Sequence, residues 1–203
     1  MGRRIGSRNA DHEEKRAALA RSVFVAVSAS PGRSLREIAD AAGVQPNTLR
    51  HYFGDRPGAV SAALRSLGAV GERYASELAN RAPEAPGPAL RWFMGQLVQG
   101  WSNGLATAHA TGLAEGLRDH QVGAADIDGV LEPTLQGVET LITRWMAEGK
   151  LAEADPRMAA LSLVSPVFMA LLHQHSLGGG ARRKLDLAAF SEVHLTRWLR
   201  GWS

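Results

Sequence analysis

Apolar positions recur every three or four residues along most of the chain, and no stretch of five or more β-branched or aromatic residues alternates with polar ones. The pattern predicts an all-α protein. In a first helix, roughly Ala10 to Ser28, Ala20, Val23, Phe24 and Val27 share one stripe, while Glu13, Glu14, Lys15 and Arg16 are left to solvent. The turn-forming run "SPGR", Ser30 to Arg33, ends it.

The following stretch, "SLREIADAAGV", starts a helix by a specific device. Ser34 and Glu37 have the spacing of a capping box, in which the hydroxyl accepts from the Glu37 N–H and the carboxylate accepts from the Ser34 N–H. Leu35, Ile38, Ala39 and Ala42 form its buried side. Gly43 supplies the positive φ that stops the helix and turns the chain. Pro46 fits the first position of the next helix, where no intrahelical N–H bond is lost and φ near −65° is wanted. Gln45 is then the N-cap, Leu49 and Phe53 face inward, and Asn47, Thr48, Arg50 and His51 face out.

Beyond this point the spacing predicts a longer helix from Pro57 to about Arg81, carrying Val60, Leu64, Leu67, Tyr74 and Leu78. "RAPEAPGP", 81–88, reads as a linker, and amphipathic segments follow near 89–103, 105–119, 132–149, 156–177 and 186–201. Pro166 is expected to kink its helix or to restart it with Ser165 as cap. The expected division is a head, 1–58, and a helical body, 59–203.

Two short helices around a glycine turn, after a supporting helix, make a helix-turn-helix, whose second helix is of the kind that enters the DNA major groove. Gln45, Asn47, Thr48 and Arg50 have side chains suited to base edges. An ordinary helical hairpin with a solvated polar side fits the same spacing. The charge balance separates the two weakly. The chain carries 23 Lys/Arg and 20 Asp/Glu, formally +3; residues 1–60 hold ten basic against six acidic positions and the remainder 13 against 14, so the excess lies in the head, where a polyanion partner would want it.

Cysteine is absent, which excludes a disulfide framework and thiolate metal sites. No uninterrupted apolar run of about 18 residues occurs, so a soluble, cytoplasmic protein without a membrane partner is expected. His173 and His175 are two apart, about 200° around a helix, a poor arrangement for a shared metal. No nucleophile elbow and no glycine-rich loop after a strand is found. Neither catalysis nor a cofactor is expected.

The 27 residues "SLREIADAAGVQPNTLRHYFGDRPGAV", 34–60, resemble the DNA-binding signature of the TetR (tetracycline repressor-like) family, and "RWMAEGKLAEADPRMAALSL", 144–163, is similar to the turn between the seventh and eighth helices common in such proteins. The resemblance implies a three-helix DNA-binding head, a connecting helix, a ligand-binding helical body and a homodimer on a palindromic operator in double-stranded DNA. It further implies that Gln45, Asn47, Thr48, Arg50 and His51 meet bases or adjacent phosphates, and that Ser34, Tyr52 and Arg56 meet phosphates. The family usually has Tyr at the place of Arg50, His at that of Tyr52 and Lys at that of Arg56. Arg3, Arg4 and Arg8 are expected to add phosphate or minor-groove contacts.

In the body, Trp92, Trp101, Trp145, Met146, Phe168 and Met169, with His109 and His173 as polar anchors, are candidate walls of an apolar pocket for a small-molecule effector. Each also suits an ordinary core. Leu161, Val164, Phe168, Leu171, Leu172, Leu187, Phe190, Leu195, Trp198 and Leu199 on the terminal helices are expected to build a two-fold partner face. The expectation is a ligand-responsive repressor. Its alternative is a dimer of the same fold with an architectural or partner-binding role.

Overall fold

The computed structural model describes residues 5–81 and 85–202, without the side chains of 5–9, Val70 and Tyr74. Arg3, Arg4 and the Arg8 side chain therefore lie outside the described residues, as does the middle of the expected linker. The described elements are helical, without strands. They are α1 (Ile5–Ala29), α2 (Leu35–Ala41), α3 (Pro46–Phe53), α4 (Arg56–Arg65), α5 (Gly68–Ala79), α6 (Pro86–Gly100), α7 (Ala106–Gly116), α8 (His120–Asp126), α9 (Glu132–Ala147), α10 (Pro156–Leu171), α11 (Gly179–Arg182) and α12 (Leu187–Trp202).

The chain forms two compact units, Met1–Ala69 with Thr111–Val130, and Val70–Ala110 with Leu131–Ser203. This grouping does not follow the 58/59 division read from sequence, which falls inside α4. The predicted helix from Pro57 to Arg81 is likewise two helices: α4 ends at Arg65, and the Leu67 N–H bonds the Leu64 carbonyl at 3.0 Å in the turn before α5.

In the first unit α4 packs on α1 and α8, and α2 and α3 pack on each other and on α1 and α4 respectively. Leu19, Val23 and Val27 of α1, Ile38 of α2, Leu49 of α3, Val60 and Leu64 of α4 and Val122 of α8 are buried, each side chain contributing roughly 1.5–3 kcal/mol. Helix α8 was not anticipated. Its start is nonetheless written in the chain, because Asp119 caps it, accepting from the N–H groups of Gln121 and Val122 at 2.9 and 3.2 Å.

In the second unit α10 lies against α9 and α12, and α12 against α6. Their core holds Leu90, Phe93, Trp101, Ile142, Trp145, Leu163, Leu171, Leu195 and Trp198. In this unit α6 ends in a kinked segment, Trp101–Leu105, and α10 runs into a π-helical turn, Leu172–Ser176. Helical geometry is lost at Asn103 and Gly104, where the sequence places a boundary. Helix α10 continues through Pro166, so of the two outcomes expected there, a kink or a restart with Ser165 as cap, the restart does not occur. By length and composition 156–176 is apolar enough to cross a membrane; here Leu163, Val167 and Leu171 of that segment are core.

Candidate functional site

Helix α3 is built as the sequence indicates. Ser34 and Glu37 form both halves of the capping box, at 3.3 Å for Glu37 N–H to the hydroxyl and 2.7 Å for Ser34 N–H to the carboxylate. The hydroxyl also donates to that carboxylate at 2.7 Å, holding Glu37 below the ordinary carboxylate pKa. Gly43 has φ +68°, and α3 starts on Pro46 with Gln45 as a cap that makes no side-chain bond. The buried Leu49 anchors it, with Phe53 half-buried under the Arg16 guanidinium, 5.7 Å from the ring centroid.

Gln45, Asn47, Arg50 and His51 are exposed, Thr48 and Tyr52 half-buried. Asn47 Oδ1 accepts from Arg50 Nη1 at 3.1 Å, so an amide and a guanidinium, two groups that make bidentate base contacts, are held together on the outer face. Ser34 is exposed beside them in chain order but its hydroxyl is engaged with Glu37. His12 of α1, absent from the sequence reading, stacks on Tyr52 with centroids 4.8 Å apart, and His51 meets the same ring edge-on at 5.1 Å. No local signal in the sequence links positions 12 and 52.

Arg56, expected to meet a phosphate, makes bonds within the chain. Its Nε donates to the Arg33 carbonyl at 2.5 Å and its Nη2 to both carboxylate oxygens of Glu115, at 2.9 and 2.7 Å. Glu115 is 1% exposed and also accepts the Gly32 N–H at 2.6 Å. Through Nε and Nη2 the guanidinium ties the turn before α2 to the first residue of α4.

In the second unit Trp101, His109 and Phe168 come together: the first two rings are stacked at 5.2 Å with 12° between planes, and Phe168 stands edge-on to both, at 5.4 and 4.8 Å. Burial pushes the His109 imidazole down to a pKa of about 4. Trp145 is fully buried in the same core and Met146 packs against it. Trp92 is half-buried under the Arg81 guanidinium, 4.1 Å from the ring centroid. The remaining two candidates are elsewhere. Met169 is 58% exposed. His173 is exposed, its Nδ1 2.8 Å from Gln174 Nε2, and Gln174 braces the loop before α12 through the Arg183 carbonyl and the Leu185 N–H. Among the described residues no group of three His, Cys, Asp or Glu is placed to hold a metal.

Much of the expected partner face is internal: Val164, Leu171, Leu195 and Trp198 are buried in their own unit. What α10 leaves outside is Met158, Leu161 and Met169, with Val193 exposed on α12.

No protein-family model and no curated protein matches this chain. Solved structures do. A TetR-family transcriptional regulator from Mesorhizobium loti superposes with a TM-score of 0.75 at 17% identity, covering 95% of this chain and 98% of that one. SmeT, the repressor of the Stenotrophomonas maltophilia multidrug efflux pump SmeDEF, gives 0.63 at 18% over 92% and 89%. FadR from Bacillus subtilis, in complex with stearoyl-CoA, gives 0.64 at 16% over 91% and 97%. The chain therefore has the fold of the TetR-type transcriptional regulators, along nearly its whole length.

Proposed function

We propose that the protein is a TetR-type, cytoplasmic, DNA-binding transcriptional repressor that acts as a homodimer and is released from a palindromic operator by a small, largely apolar effector. The observation that carries this reading is α3: a helix started by proline, anchored by Leu49, and presenting Asn47 and Arg50 as a hydrogen-bonded pair on an outer face. Such a pair suits major-groove base edges, and Thr48 and Gln45 flank it. Dimerisation would place two heads about 34–36 Å apart, one DNA turn. The exposed α10 stripe of Met158, Leu161 and Met169 suits the partner copy.

Effector control requires an effector that binds better to a conformation with misplaced heads, since only that difference shifts the population. SmeT is a repressor, and FadR binds stearoyl-CoA; both support the reading by likeness of fold. Selection from random-sequence duplexes tests it. Enrichment of one inverted repeat is expected. Recovery of unrelated sequences with equal affinity would instead favour an architectural role, and no recovery would remove DNA binding altogether.

A further inference from the structure

Among the described residues, three buried polar atoms in the second unit have no hydrogen-bond partner within the protein: Nε1 of Trp101, Nε1 of Trp145 and Nδ1 of His109. Buried indole N–H groups ordinarily find an acceptor, because leaving one unmet forfeits free energy. The unit obeys that rule elsewhere. Trp198 Nε1 donates to the Ala159 carbonyl and to Ser162 Oγ, at 3.2 and 3.0 Å, and the buried Gln174 has both ends of its amide bonded. Two of the three exceptions sit side by side in the Trp101–His109 stack. Trp101 is 1% and His109 7% exposed. The helix kinks just after Trp101, at Asn103 and Gly104, and a π-helical turn begins four residues beyond Phe168, a feature that recurs at functional sites.

The chemistry of the surroundings narrows what could meet these atoms. Among the described residues of this unit the buried polar side chains are His109, Gln174 and Ser191, with no buried Lys, Arg, Asp or Glu, and His109 is neutral at pH 7. A charged group brought there would find no counter-charge, whereas a neutral acceptor would find a donor. We propose that the Trp101–His109–Phe168 cluster recognises an uncharged, largely apolar effector through a hydrogen-bond acceptor, such as a carbonyl oxygen, that takes the Trp101 Nε1–H. His109 Nδ1, donor or acceptor according to tautomer, adds a further polar point to an otherwise apolar lining. The proposal rests on the effector reading above and names the effector's chemistry.

Calorimetric titration of the full-length protein with three probes of similar shape tests it: 2-acetonaphthone, which has an acceptor, 2-ethylnaphthalene, which has none, and 2-naphthoate, which is an anion. The ketone is expected to bind at least tenfold tighter than either of the others. Trp101→Phe, which keeps a ring, should bring the ketone to the level of the hydrocarbon and leave the hydrocarbon within about threefold. Trp198→Phe, whose N–H is already bonded within the chain, should keep the ranking. Should Trp101→Phe not fold, the wild-type ranking decides alone. Equal affinities, preference for the anion, no binding of any probe, or a ranking that survives Trp101→Phe each overturn the proposal. Release of the selected duplex is scored separately. A ketone that binds without releasing DNA contradicts effector control and leaves acceptor recognition standing; release by a ligand equally potent on Trp101→Phe does the reverse.

Discussion

Nη2 of Arg56 bridges both carboxylate oxygens of Glu115, a residue 59 positions further along the chain, and the same carboxylate holds the N–H of Gly32. Glu115 is buried and Arg56 half-buried. Removing either partner strands the other, at a cost of about 3–5 kcal/mol for a buried pair. Arg56→Met and Glu115→Leu should each lower unfolding stability by that order, while the double variant recovers most of the loss. Urea unfolding of the four proteins as a cycle measures it; additive losses would mean that the two side chains do not interact.

The same pair decides what Arg56 does for DNA binding. A phosphate contact contributes about 0.9 to the slope of log affinity against log salt. Since the guanidinium is engaged with Glu115 and Arg33, the double variant is expected to keep the wild-type slope. A slope flattened by about one would return Arg56 to the phosphate role read from sequence.

Arg50 is expected to behave otherwise. Arg50→Ala should cost about 1–3 kcal/mol against the selected duplex, confined to one base position in each half-site. Asn47→Ala should produce part of the same loss by freeing the guanidinium from its 3.1 Å bond. Competition against singly substituted duplexes reads this directly, and a uniform loss on all of them would make Arg50 a backbone contact.

Stability should carry two opposed pH limbs. Asp126 is 5% exposed, its Oδ1 has no partner, and burial raises its pKa to about 6. A Cβ on Gly112 would lie 1.8 Å from that oxygen, so any larger residue there requires the carboxyl to move. Because the folded pKa lies above the unfolded 3.8, stability falls as pH rises from about 4 to 6, by roughly 3 kcal/mol. His109, lowered from 6.5 to about 4, does the opposite: its contribution is full above 6.5 and is lost as pH falls toward 4. Asp126→Asn should therefore raise stability at pH 7 and expose a decline in acid, and His109→Phe should leave a decline with rising pH. Thermal melts between pH 4 and 7.5 check both signs.

The exposed α10 stripe supplies a further expectation. Leu161→Arg with Met169→Arg should convert a dimer to a monomer without unfolding it, since both side chains are outside the core. Sedimentation velocity with a far-ultraviolet dichroism control reads the outcome. An unchanged sedimentation coefficient places the dimer face elsewhere.

What could be read from sequence was whatever is local. The Ser34–Glu37 box, the Gly43 turn and Pro46 as a helix start depend on neighbours within four residues, and all three are present. The Arg56–Glu115 pair, the stacking of His12 on Tyr52 and the grouping of 111–130 with the first unit join distant positions that carry no mutual signal. The break at Ser66–Leu67 lacks proline or glycine before it, so an unbroken apolar stripe concealed it. In the second unit residue type alone did not distinguish Trp101 from Met169 as a candidate wall. Only packing shows that the indole is buried against His109 while the thioether faces outward.

The most direct test of the central claim is the affinity of the full-length protein for the selected inverted repeat and for a scrambled duplex, measured by fluorescence anisotropy at fixed salt, with and without Asn47→Ala/Arg50→Ala. Specific recognition through α3 predicts a ratio of at least about 10³ for the wild type and a collapse of that ratio in the variant, with scrambled-duplex binding nearly unchanged. A ratio near one for the wild type, or a ratio untouched by the two substitutions, would contradict the account.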